Sequence, residues 1–141
     1  MTTFDTILNN ACIEAGFQQI IVYSNKDRDI KTDRHATAFP VMFRAFSEQI
    51  QPLFDEQQRY ERIMTLYCAH VGFTKATPDD ISVNLEDLMD RFIVFREYLR
   101  DSKIQVAFTT APFPQWEMTK ADDYGLVFNV KMTYPKPCLH L

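Results

Sequence analysis

Glycine is scarce in this chain, and its scarcity removes whole classes of chemistry. Only Gly16, Gly72 and Gly125 occur in 141 residues. A Walker-type phosphate loop or a dinucleotide fingerprint needs several glycines in one short stretch, so neither can be written. A GxSxG nucleophile elbow is also absent. Cysteine is equally sparse: Cys12, Cys68 and Cys138 are odd in number and far apart. That spacing indicates neither a disulfide framework nor a zinc site, and it points to a reducing compartment. Cys12 and Cys68 read as small buried hydrophobes. No apolar run approaches the ~18–20 residues of a membrane span. The opening MTTFDTILNN lacks the basic and apolar regions of a signal peptide. Basic excess is missing too, since the net charge is −4 and opposite charges are interleaved. Nucleic-acid affinity comes largely from phosphate neutralisation, so a general DNA-binding role is disfavoured.

What is present is apolar and aromatic: 46% of residues are hydrophobic and twelve are Phe. A chain of this size buries enough surface to need no staple, and residues 1–141 read as a single domain with a short tail at 135–141. Phe4, Ile7, Leu8, Ala11, Cys12 and Ala15 repeat at helical spacing, Gly16 can close that helix, and Phe17 can pack back on it. Gln19 to Tyr23 is a short β-branched strand. Residues 24–37 are polar and form the longest candidate loop. Phe39 to Phe46 reads as a strand started through Pro40, and Ser47 to Gln58 as a polar connection. Arg59 to Val71 is the longest strand and is apolar on both faces. Such a strand is central or covered on both sides. Thr77-Pro78-Asp79-Asp80 supplies a cap, a first-turn Pro and acids for a helix running to Asp101. Its stripe is Leu85, Leu88, Phe92, Phe95 and Leu99, widened by Met89 and Ile93. Ile104 to Thr109 alternates as a strand with one wet face. The TAPFPQW segment must bend or lie at an edge, KADDYG makes a turn, and Leu126 to Tyr134 alternates cleanly. The expected fold is α+β in the order α-β-β-β-α-β-β. A mostly antiparallel sheet of about four to five strands carries two main helices on one face.

Each candidate for chemistry has a simpler structural reading. Cys68 and His70 share a strand face, but their Cβ atoms stand about 6–7 Å apart and nothing orients the imidazole. His35 and His140 are isolated. Asp122-Asp123 reads as turn chemistry, Asp79-Asp80 as acids of a helix start, and Asp55-Glu56 as solvated loop charges. Trp116, Phe113 and Tyr124 cluster near the last hairpin. With only Lys120 as a basic neighbour, they suit a hydrophobic contact better than a base-stacking platform. Catalytic, cofactor and metal residues are therefore expected to be none.

The helix ending at Gly16-Phe17, the Phe39-Pro40 strand start, the long 59–71 strand and the helix 84–101 form a set. An Asp122-Asp123-Tyr124-Gly125 turn into a final strand, with Cys138 behind it, completes that set. Together these features resemble small bacteriophage neck proteins of the tail-terminator or tail-completion kind. In such families the turn often continues Gly-Trp, whereas here it is Gly125-Leu126. The resemblance implies a non-enzymatic structural protein of the virion, without cofactors. It would form a homo-oligomeric ring, commonly hexameric, at the head-tail junction, in contact with other neck, portal or tail proteins. Assembly in the bacterial host cytoplasm follows, without secretion, membrane association or specific nucleic-acid binding. Lys26, Arg28, Lys31 and Arg34 of the polar loop become candidate protein-interface residues, pairing across a subunit boundary. The alternative is a small-molecule-binding or enzymatic α+β domain with a pocket between the long helix and the sheet. That reading expects His70, Tyr67 or Arg62 to converge. A regulatory adaptor acting through a sheet edge or the Pro-rich tail is a third reading.

Overall fold

The structure, a computed structural model, describes residues 4–22, 40–45, 48–118 and 122–135, with backbone alone at 19–22 and 45. Helix α1 spans Phe4–Ala15 and buries Phe4, Ile7, Leu8, Ala11, Cys12 and Ala15, the face its spacing predicts. It closes as expected: Gly16 has φ +80°, and the Phe17 N–H donates to the Cys12 carbonyl at 2.8 Å. This six-to-one bond is the Schellman arrangement, and Phe17 is buried behind it. The Arg91 Nη1 also donates to the Gly16 carbonyl at 3.2 Å, placing a cation at the negative end of α1.

Among the described residues seven strands form one sheet, more than the four to five expected. They are β1 (Gln18–Val22), β2 (Val41–Ala45), β3 (Gln49–Pro52), β4 (Arg59–Val71), β5 (Gln105–Phe108), β6 (Phe113–Trp116) and β7 (Asp123–Pro135). The order β1-β2-β4-β7-β5 places β4 at the centre, while β3 also pairs with β4 and β6 with β7. The extra strands are short edge pieces in segments that read as a polar connection and a proline-rich bend. Gln49 to Pro52 pairs with Tyr60 to Ile63 and is exposed throughout. Residues with no buried face carry no periodic signal, so only the partner strand reveals them. Every pairing is antiparallel except β1 with β2. The stretch 23–40 between those two is long enough for the crossover that a parallel pair requires.

Helix α2 spans Pro78–Asp101, starting at the Pro78 of its capping signal. Thr77 Oγ1 accepts from the Asp80 N–H, and Asp80 reaches back to the Thr77 N–H, a complete capping box. Leu88, Phe92, Phe95 and Leu99 are buried, and Leu85 and Met89 pack beside them. Ile93, assigned to the stripe from its spacing, instead stands exposed. Both helices cover one face of the sheet, and the core between them holds Met42, Met64, Leu66, Cys68, Phe128, Val130 and Met132. Phe92 stacks on Phe128 with centroids 3.9 Å apart and rings 4° from parallel. Phe108 flanks the pair at 5.7 Å from Phe92. The opposite face carries a smaller cluster of Val41, Phe43, Tyr67, Ala69 and Val127. β4 is thus central and apolar on both sides, as its composition predicts. Strands β4 and β7 approach so closely at Gly125 that a Cβ there would lie 1.8 Å from the Cys68 carbonyl oxygen.

Candidate functional site

The interface residues expected in the polar loop, Lys26, Arg28, Lys31 and Arg34, lie outside the described residues, as do His35, Cys138 and His140. The residues proposed to converge on a ligand do not meet. Arg62 and His70 occupy even positions of β4, facing the helices, whereas Tyr67 faces the other side and joins the second cluster. A strand alternates its side chains, so no single pocket takes all three. His70 Nε2 pairs with Asp87 of α2 at 2.9 Å, and Arg91 Nε donates to the same carboxylate oxygen at 2.8 Å. Partial burial pushes the Asp87 carboxyl up, but the hydrogen bonds from Arg91 and His70 outweigh it and hold the pKa below its ordinary value. Cys68 lies fully buried, and desolvation raises its thiol well above the usual range. Burial likewise pushes Cys12 up to about 12, against a smaller opposing pull from Arg44. Both thiols are neutral at neutral pH, which removes the nucleophile that a Cys–His pair would need.

The paired aspartates have wider duties than a local turn. Asp123 is buried and accepts from the Tyr67 hydroxyl and, at 3.2 Å, from the Met118 N–H. Asp122, at φ +57°, instead accepts from Thr74, whose Oγ1 donates at 2.7 Å. Neighbours on a turn point apart, and these two tie it to two different segments. Asp55 is not merely solvated, because Arg59 Nε donates to it at 2.7 Å, the main reason its pKa is lowered. Of the three aromatics near the last hairpin, Trp116 stacks on Phe73 at 5.9 Å, and Phe73 also meets Tyr124. Phe113 pairs with Val127 and therefore points to the opposite face.

A charged corner lies under the start of α1. Arg44 of β2 is 3% exposed, and its guanidinium bonds Glu48 and, at 2.7 Å, Asp5 of α1. Arg62 donates to Glu48 at 3.0 Å and to the Tyr134 hydroxyl at 2.8 Å. Its guanidinium lies 4.2 Å above the Phe4 ring centroid. Desolvation disfavours the Arg44 charge, yet the bonds to Glu48 and Asp5 prevail and raise its pKa. Every member of this network is occupied by another, which marks it as a structural clasp rather than a site open to substrate. The available hint was an arginine inside an apolar strand, with acids in α1's first turn and four residues ahead.

The described surface is open at the two ends of the sheet. At the hairpin end, the β3–β4 turn carries Phe54, which is 99% exposed, beside exposed Ile50. A groove of about 500 Å³ is lined by Arg96, Arg100, Gln105, Val106, Ala107, Lys131 and Thr133. A smaller hollow of about 270 Å³ shares Arg100, Gln105 and Thr133 with that groove and adds Gln57, Arg59 and Lys103. At the other end, where α2 begins, a cleft of about 350 Å³ is lined by residues that include Val71, Ala76, Asp79, Val83 and Tyr124. Exposed Trp116 and Val71 stand at the same end. These groupings draw on residues far apart in sequence, so no local motif signals them. Among the described residues, no group of three or more His, Cys, Asp or Glu is placed to hold a metal. No helix among them is long and apolar enough to cross a membrane.

No family model matches the chain, and a comparison with curated proteins finds no relative.

Proposed function

We propose that this protein is a non-enzymatic assembly subunit of a phage virion, forming a ring at the head-tail junction through contacts between copies and with neighbouring neck, portal or tail proteins. The observation that carries the assembly reading is where apolar surface is spent. The helix–sheet interface is filled by the Phe92–Phe128 stack and its neighbours, while Phe54 and Trp116 stand exposed at opposite ends of the sheet. Large apolar side chains left in water beside polar rims are what protein contact surfaces present. The virion and the ring come from the resemblance in sequence features alone. The small-molecule alternative lacks a comparable observation, because its convergent groups lie on opposite sides of β4.

Light scattering on the purified chain across a concentration series, followed by electron microscopy, tests the proposal. A defined multiple of the chain mass with ring-shaped particles is the expected outcome. A one-chain mass at every concentration, with saturable binding of a small metabolite, would overturn it.

A further inference from the structure

The hollows at the two ends of the sheet differ in charge, one lined by Arg59, Arg100 and Lys103 and the other by Asp79 and Asp80 with Lys75. At the hairpin end, Arg96, Arg100 and Lys103 lie within two turns of α2 and its following residues and have no carboxylate at ion-pair distance among the described residues. Arg96 spends its Nε on the Val106 carbonyl at 3.1 Å, a neutral partner that leaves its charge unmatched. Glu97 and Asp101 occupy the same stretch of helix but sit roughly 100° around it, off the groove. The β3–β4 hairpin, whose Gln57 and Arg59 share a hollow with Arg100 and Lys103, carries the exposed ring of Phe54 and, near it in sequence, the exposed Glu56. At the other end of α2, 24 residues and about 36 Å away, the arrangement is reversed. Asp79, Glu86 and Asp90 are exposed without an ion-pair partner among the described residues. They line the helix face that also bears Val83. Of the acids at this end, Asp79 and Asp80 line the cleft itself, together with Val71, Val83, Asn84 and Tyr124, and its volume is about 350 Å³. Lys75 is the single cation lining that cleft among the described residues.

From this complementarity we infer that the cleft at the start of α2 receives the Phe54 hairpin of a second copy of this chain. The Arg100–Lys103 rim of that copy faces the Asp79–Glu86 stripe. The contact joins two different patches, so it is head-to-tail, and repetition closes a ring or extends a filament according to the rotation per step. Phe54 is the anchor and the charges set orientation and encounter rate. The inference rests on the assembly reading above and specifies which surfaces meet. A second copy is favoured over nucleic acid because an acidic counter-surface exists on the same molecule, in the cleft that Asp79 and Asp80 line.

The test is a charge exchange read by sedimentation at low salt. One variant carries Arg100→Glu with Lys103→Glu, a second carries Asp79→Lys with Glu86→Lys, and a third carries Phe54→Ser. All these positions are exposed, so circular dichroism should match the wild type, with melting unchanged in Phe54→Ser and slightly lowered in the two charge variants, which reverse favourable charges at the ends of α2. Each variant alone is expected to associate at least tenfold more weakly than wild type. Mixing the first two should restore complexes, because each then presents the charge the other has lost. Association of the wild type should fall as salt rises from about 0.05 to 0.5 M, as screening shortens the reach of the charges. Wild-type assembly that none of the variants weakens would overturn this docking while leaving the assembly reading intact. A wild type that stays a monomer throughout would overturn both. Loss of binding to a labelled DNA duplex in the first variant, with no rescue on mixing, would assign the groove to a polyanion instead and overturn the inference.

Discussion

The dry centre of the molecule and the charged corner beneath α1 solve the same problem by opposite means. Both seat a helix on the sheet. The centre does so with stacked rings, Phe92 on Phe128 between α2 and β7. The corner does so with a buried guanidinium, Arg44, gripping Asp5 of α1 and Glu48 together. Apolar packing is non-directional and grows with area, so it sets which faces meet. The ionic clasp is directional and costly to desolvate, and it returns its cost only when every partner is in place. The difference teaches where each element's freedom ends: α2 is held by burial, whereas the first turn of α1 is held in register by charge.

Breaking each region separately should rank them. Phe128→Ala removes the ring under Phe92 and should lower unfolding free energy by about 3–5 kcal/mol in urea titration. Arg44→Met should cost somewhat less, about 3 kcal/mol, because Glu48 keeps Arg62 as a partner while Asp5 can return to water. Glu48→Gln should cost less in the Arg44→Met background than in the wild type, since only its pairing with Arg62 is left to lose. A double-mutant cycle showing no coupling between the two positions would contradict the clasp.

The His70–Asp87–Arg91 cluster is half-exposed, so its contribution should be well under 1 kcal/mol. Its sign with pH is defined. Asp87 has a folded pKa below its unfolded value; its stabilisation is therefore complete above the ordinary carboxylate pKa, about 4, and is lost as pH falls through the lowered folded value. The stability difference between wild type and Asp87→Asn should shrink towards zero across that acid window. Smallest of all, Phe54→Ser should change monomer stability by no more than about 0.5 kcal/mol, because a ring that is 99% exposed loses nothing on removal. A larger change would show that Phe54 packs within its own chain.

Local chemistry made several features legible beforehand. The six buried positions of α1 and its Gly16-Phe17 closure follow from helical spacing and from glycine's freedom at φ +80°. The Thr77–Asp80 capping box needs only residues three apart. The two apolar faces of β4 announced its central place. By contrast, β3 and β6 were hidden, because an exposed four-residue strand has no periodic burial and exists only through its neighbour. Arg44 could be placed on a face but not in a network, since its partners come from α1 and from beyond β2.

By itself, then, the sequence determined the helices, their caps, the central strand and the α+β class, because each depends on contacts within a few residues or on one periodic face. The absence of glycine-rich phosphate motifs was equally plain from composition. Only the tertiary structure decided the edge strands, the parallel β1–β2 pair, the Arg44 clasp and the hollows at the two ends of the sheet. Those features join residues from separate elements, such as Arg59, Arg100 and Thr133 in one hollow. Their proximity is set by the packing of the sheet and α2, which no local pattern encodes.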